Sequence, residues 1–133
     1  MVNSAQKLSR SRVFKTAWFA KAARKAKVRD PALCAAMHQA MLGLAEDLGG
    51  GVFKKRLNDN THRSIILAKG GRHWVYEYLF AKNLRSNIDA DELLAFRSLA
   101  KAYAALSEAQ IAVLLAQQDL MEICHEDQAQ IQE

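Results

Sequence analysis

The spacing of apolar residues changes along the chain and sets out its elements. From Val13 to Trp18 strand formers dominate, and Phe19–Val28 is alanine-rich, with Lys21, Arg24, Lys25 and Lys27 on what reads as the wet side of a helix. Asp30-Pro31 restarts a helix, since Asp30 suits the N-cap and proline fits the first turn, where its missing N–H has no helical partner. Leu33, Met37, Ala40, Met41 and Leu44 recur at helical spacing. That stripe predicts a helix ending near Ala45, ahead of Gly49-Gly50-Gly51, a run that cannot continue it cheaply. The pattern then shortens to strand period over Val52–Leu57, Arg63–Lys69 and Arg72–Phe80, with Gly70-Gly71 as the hairpin signal between the last two. Alternation predicts Trp74, Tyr76, Tyr78 and Phe80 on one face and Val75, Glu77 and Leu79 on the other. Helical period returns at Asp89–Glu92, which has capping-box spacing, and continues through Leu93, Phe96, Ala100 and Tyr103. Ser107–Gln110 repeats the cap before Ile111, Leu114 and Leu115, and Met121–Cys124 reads as a short edge strand. The prediction is one α+β domain over residues 1–133, helical at both ends and β in the middle. Residues 1–12 are expected to form a basic arm and 125–133 a loose acidic tail.

Composition adds a sizeable core: 133 residues, half of them hydrophobic, suffice for one domain. Charge adds more. Met1–Arg85 holds 17 Lys+Arg against 5 Asp+Glu, and Ser86–Glu133 holds 2 against 9, so the net +5 conceals about +12 followed by −7. A body this basic attracts polyanions, because phosphate contacts release condensed counterions. The acidic end either moderates that attraction or lies against another part of the chain. Two distant cysteines, Cys34 and Cys124, allow a disulfide but read better as reduced thiols of a cytoplasmic protein, and two lone thiols argue against a zinc site; no cofactor is expected. Met1–Arg12 lacks the apolar run of a secretion signal, and no stretch approaches the length of a membrane span.

The candidate chemistry lies in the β centre. Lys54 and Arg56, two apart, share one face of the first strand while Lys55 points away, and a hairpin brings Arg63 beside them. Cations gathered on one face repel, and a phosphate among them would relieve the repulsion. Lysines on an edge strand also block sheet-to-sheet aggregation, and spacing leaves both readings open. His62 and His73 lie near this face as possible proton carriers, and Tyr76 and Tyr78 could stack on a base, although such a stripe is more often core. His38 and His125 read as structural or solvated.

The run Leu48-Gly-Gly-Gly-Val-Phe-Lys-Lys-Arg-Leu, then His62-Arg63-Ser64-Ile65-Ile66, then Trp74-Val-Tyr-Glu-Tyr-Leu-Phe-Ala-Lys-Asn with Asn87-Ile88 and Glu92-Leu93, resembles the RelE/ParE superfamily of toxins. With Phe14-Lys-Thr-Ala-Trp-Phe-Ala-Lys it looks most like the HigB-like, phage-associated branch, over about Val13 to Ile123. The resemblance implies N-terminal helices on a twisted antiparallel sheet of about three to four strands, followed by C-terminal helices. It implies a metal-independent endoribonuclease that cleaves mRNA in the ribosomal decoding site through attack of the 2′-oxygen on the adjacent phosphate. It implies Lys54 or Arg56 activating the 2′-hydroxyl and Arg63 holding the scissile phosphate. Lys55, Arg72, His73 and Tyr76 are the further RNA-binding candidates.

Where the family often places an arginine as general acid, this chain has Asn83, leaving Lys82, Arg85 or His62 for the role. Asp89 stands about where a RelE-type tyrosine would fall, and Asn58–His62 replaces a longer Gly- and Lys-rich loop. The implied partners are mRNA, the ribosome and an antitoxin, often a helix-turn-helix protein, in a hetero-oligomer; no membrane is implied. The competing function is a non-nuclease member of the same fold, either gyrase-inhibiting or degenerate, acting by protein binding.

Overall fold

The computed structural model describes residues 11–125. Most of the expected basic arm and nearly all of the acidic tail fall outside that range, although Arg12, expected in the arm, opens the first strand. The order is β1 (Arg12–Thr16), α1 (Ala17–Lys25), α2 (Asp30–Met41), β2 (Glu46–Gly49), β3 (Val52–Leu57), β4 (His62–Leu67), β5 (His73–Ala81), α3 (Ala90–Ala104), α4 (Glu108–Ala116) and β6 (Leu120–Ile123). The strands form a six-stranded sheet in the order β2-β3-β4-β5-β1-β6. It is larger than the three to four strands expected, because β2 joins outside β3 while β1 and β6 add on the far side. It is also mixed: β1 runs parallel to β5, and the other pairings are antiparallel.

Apolar residues from both faces of the sheet are buried in two clusters. One joins Phe19, Leu33, Met37, Ile66 and Tyr76 beneath α1 and α2. The other joins Phe14, Val52, Ile65, Val75, Phe80, Ile111 and Leu120 beneath α3 and α4. Helices therefore cover both sides of the sheet rather than following it in sequence blocks. Local caps agree with this arrangement. The Thr16 hydroxyl accepts from Phe19 N–H, starting α1 two residues earlier than the alanine run suggested. Asp89 with Glu92 and Ser107 with Gln110 form complete capping boxes on α3 and α4.

Some expectations need correction. Asp30 is the first residue of α2 rather than its cap; Arg29 holds that place without a side-chain bond. The helix ends at Met41, and Leu44 is exposed. The four aromatics of β5 do not share a face. Ile66 pairs with Tyr76 and Ile65 with Tyr78, so Glu77 is an extra residue, a β-bulge that reverses the alternation. Trp74 and Tyr76 pack toward α1 and α2, whereas Tyr78 and Phe80 pack toward α3.

The two cysteines are not free thiols. Cys34 of α2 and Cys124, just past β6, form a disulfide across 90 residues of sequence. Pairing of β6 with β1 carries the end of the described chain back to α2, which no local pattern could announce. No single helix among the described residues is long and apolar enough to cross a membrane.

Candidate functional site

Lys54 and Arg56 leave β3 on the α3 face, in step with buried Val52. Arg63 of β4 is directly opposite Arg56, and Phe80 of β5 is directly opposite Arg63. Residues opposite one another across a ladder share a face with Cβ atoms about 5 Å apart, so Arg56 and Arg63 are held side by side. Neither has a carboxylate partner among the described residues. Arg63 Nη1 donates to the carbonyls of Asn60 and His62, at 3.1 and 3.0 Å, which anchors one edge of the guanidinium on its own loop.

The strand pairing also bears on the edge-protection reading of these cations. β2 pairs with Val52–Lys54, so Lys54 lies on an interior stretch of β3, and only the half beyond it has an open outer side. Blocking aggregation does not account for Lys54. Its ammonium lies 3.3 Å from Glu46 of β2 and donates to Asn87 Oδ1 at 3.3 Å. Glu46 belongs to the site and was not a sequence candidate, because Glu46–Gly49 carries neither alternation nor strand formers.

Arg85 completes the face. Its guanidinium lies 5.6 Å from the Phe80 ring centroid and 5.9 Å from that of Tyr78. It donates to the Tyr78 hydroxyl at 3.2 Å, to the Asn87 carbonyl at 2.9 Å and to both oxygens of Glu92. Hydrogen bonding to Glu92 raises the pKa of Arg85, and the same contact holds the Glu92 carboxyl below its ordinary range. Arg85 is thus a fixed cation, poorly suited to releasing a proton. Lys82 is exposed at the start of the turn after β5, where its N–H donates to Thr61 O.

A match to the family described as the RelE toxin of the RelE / RelB toxin-antitoxin system covers residues 11–123. The chain belongs to the RelE toxin family. No curated protein matches it. RelE toxins are the toxin half of toxin–antitoxin pairs and are generally endoribonucleases that cleave mRNA.

Within this RelE chain the other sequence candidates lie elsewhere. His62 is opposite Leu57 and faces α2, with Nδ1 2.8 Å from Thr61 Oγ1. Lys55 also leaves on that side and donates to Leu44 O; desolvation, helped by Arg56, lowers its pKa. Tyr76 is fully buried, stacked on Phe19 with its hydroxyl donating to Leu33 O, so it offers no surface to a base. His73 is 3% exposed at the other end of β5, roughly 23 Å from Phe80 at strand rise. Arg72 beside it pairs with Glu108. The structure therefore gathers Lys54, Arg56, Arg63 and Arg85 on one face and separates them from His62, Lys55, Arg72, His73 and Tyr76. No group of three His, Cys, Asp or Glu among the described residues could hold a metal ion.

Proposed function

We propose that this chain is a HigB-like endoribonuclease toxin that cleaves mRNA on the ribosome by 2′-oxygen attack on the adjacent phosphate. The observation carrying this reading is the Arg56–Arg63 pair, side by side on one sheet face without a carboxylate partner among the described residues. A phosphate bridging the two relieves their repulsion, and preorganised donors of this kind stabilise the charge that develops on phosphoryl oxygens. The reaction forms a bond from the 2′-oxygen to phosphorus and breaks the bond to the 5′-oxygen, leaving a 2′,3′-cyclic phosphate and a 5′-hydroxyl. Lys54 lies beside the attacking oxygen, and Glu46, ion-paired to it, accepts the 2′-proton. Arg63 and Arg56 hold the phosphate. Lys82 supplies the proton to the leaving oxygen, since Arg85 is locked to Glu92 and His62 faces the other side. The site works in the cytoplasm, in a pair with an antitoxin of helix-turn-helix type.

Arg63→Ala is expected to lower cleavage of mRNA by about a hundredfold, the scale of removing one transition-state donor, with Glu46→Gln also impaired. Unchanged cleavage in Arg63→Ala, or products bearing 5′-phosphates, would overturn this reading. The engagement of Arg85 by Glu92, together with exposed Asn83 in the expected arginine position, favours a second reading, a non-nuclease protein of the same fold. Induced expression separates the two: loss of translation marks the nuclease, and DNA damage with filamentation marks gyrase inhibition.

A further inference from the structure

Trp18 is unusual among the aromatic residues. It follows Ala17 in the first turn of α1, is 53% exposed, and stacks on Tyr78 with ring centroids 5.1 Å apart and planes inclined by 25°. Tyr78 leans in turn on Phe80 and Phe96, at 5.9 and 6.0 Å, and its hydroxyl accepts from Arg85. One face of the Trp18 indole is thus supported by a packed aromatic group, and its exposure leaves the other side open. Lys21 and Lys25 are exposed three and seven residues along the same helix, on the same side as Trp18. On its other flank the Tyr78–Phe80–Arg85 contact leads directly to Arg63, opposite Phe80.

We propose that Trp18 is a nucleobase-stacking position of the RNA site, receiving a base further along the strand whose phosphate Arg56 and Arg63 hold. The inference rests on the RNA-cleaving reading above and adds to it the residue that grips the substrate beyond the scissile phosphate. From β3 to the position of β1 the face spans three strand spacings, about 14 Å, which a short single strand covers. An indole braced on one side is preorganised for stacking, because little side-chain freedom remains to be lost. Stacking is sequence-tolerant, since every base has a π face, so Trp18 contributes affinity and register rather than base identity. Lys21 and Lys25 share its side of α1, and Arg85 touches the Tyr78 ring on which it stacks, so the strand that lies on the indole passes close to cations that suit its phosphates.

The test measures binding of a fully 2′-O-methylated oligoribonucleotide, which cannot be cleaved, to the full chain by fluorescence anisotropy. Trp18→Ala is expected to bind about tenfold more weakly than the parent, with Trp18→Phe close to the parent. The salt dependence of Trp18→Ala should be unchanged, whereas Arg63→Ala should flatten the log–log salt slope by about one phosphate contact. An abasic oligonucleotide of equal length should bind the parent and Trp18→Ala equally. Equal binding of the base-bearing strand by the parent and Trp18→Ala, with Arg63→Ala weakened, would overturn the stacking role and leave the RNA site standing. Equal loss on abasic and base-bearing strands would assign the effect of Trp18→Ala to structure and overturn it too. If Arg63→Ala also binds like the parent, the RNA-cleaving reading falls with it.

Discussion

Glu77, the bulged residue of β5, shows how one position can carry a cost unrelated to the cationic face. Burial pushes its carboxyl up to about 7, against the lowering effect of the Tyr103 hydroxyl, and Oε2 has no hydrogen-bond partner among the described residues. A carboxyl with a raised folded pKa favours the fold while it is protonated and costs stability as pH rises through the folded value. Stability should therefore decline between about pH 5 and pH 8, in the range set by the raised value. Glu77→Gln should remove that slope and exceed the parent in denaturant midpoint at pH 8; an unchanged slope would show that Glu77 titrates normally. The pairs of Arg85 with Glu92 and Arg12 with Glu122 act with the opposite sign. Their carboxyls titrate low, so their contribution is lost as pH falls below the ordinary carboxylate range. Lys54, Arg56 and Arg63 were legible in the sequence because strand alternation and one short hairpin suffice to bring them together. Glu77, Glu46 and Trp18 were not, since their environments come from partners distant in sequence.

At the scale of elements, the glycine run before β3 is the sharpest constraint. Gly51 has φ of +85°, and a Cβ there would lie 2.7 Å from Lys69 Cβ and 3.0 Å from its backbone. The turn is tied to α3 by Arg97, whose guanidinium donates to the carbonyls of Leu48 and Gly49. Gly51→Ala should destabilise by about 2 kcal/mol or more, combining left-handed strain with the clash. Gly70→Ala, where φ is +85° but the space is open, should cost less. Chemical denaturation of both variants makes the comparison, and equal losses would show that the close approach to Lys69 contributes nothing. β3 matched its expected span residue for residue because its apolar ends are bracketed by glycines and by a polar loop. β2 went unrecognised because Glu46-Asp47 reads as solvent-exposed chain until β3 is present to pair with it. The bulge was hidden for a related reason, since it is defined only by the register of β4.

For the whole molecule, the charge imbalance read from the sequence is partly settled inside the fold. Acids of the C-terminal part neutralise Arg12, through Glu108 and Glu122, and Arg85, through Glu92. Arg56 and Arg63 have no such counterpart among the described residues, and neither do Lys21 and Lys25 of α1, so the charge left uncompensated includes the proposed RNA face. The disulfide is the second feature of this scale. Non-reducing peptide mapping should recover Cys34 and Cys124 linked, and Cys34→Ser with Cys124→Ser should lower stability by about 2–4 kcal/mol, as expected for closing a long loop. Recovery of both as free thiols from oxidised protein would refute the link. Neither cysteine has a partner nearby in sequence, so compartment arguments alone pointed to free thiols.

The position of β1 has a consequence for how the molecule is assembled. This strand, near the start of the chain, lies between β5 and β6, and Arg12 is fastened to Glu122 at a separation of 110 residues. The cationic hairpin of β3 and β4, by contrast, closes over four residues and can form from local contacts alone. A nascent chain would thus display the arginines of the proposed phosphate site well before its sheet is closed, and closure waits for the strand that emerges late. The proposed grip on RNA and the rigidity that would make it a catalyst would then arise at different times in the life of each molecule.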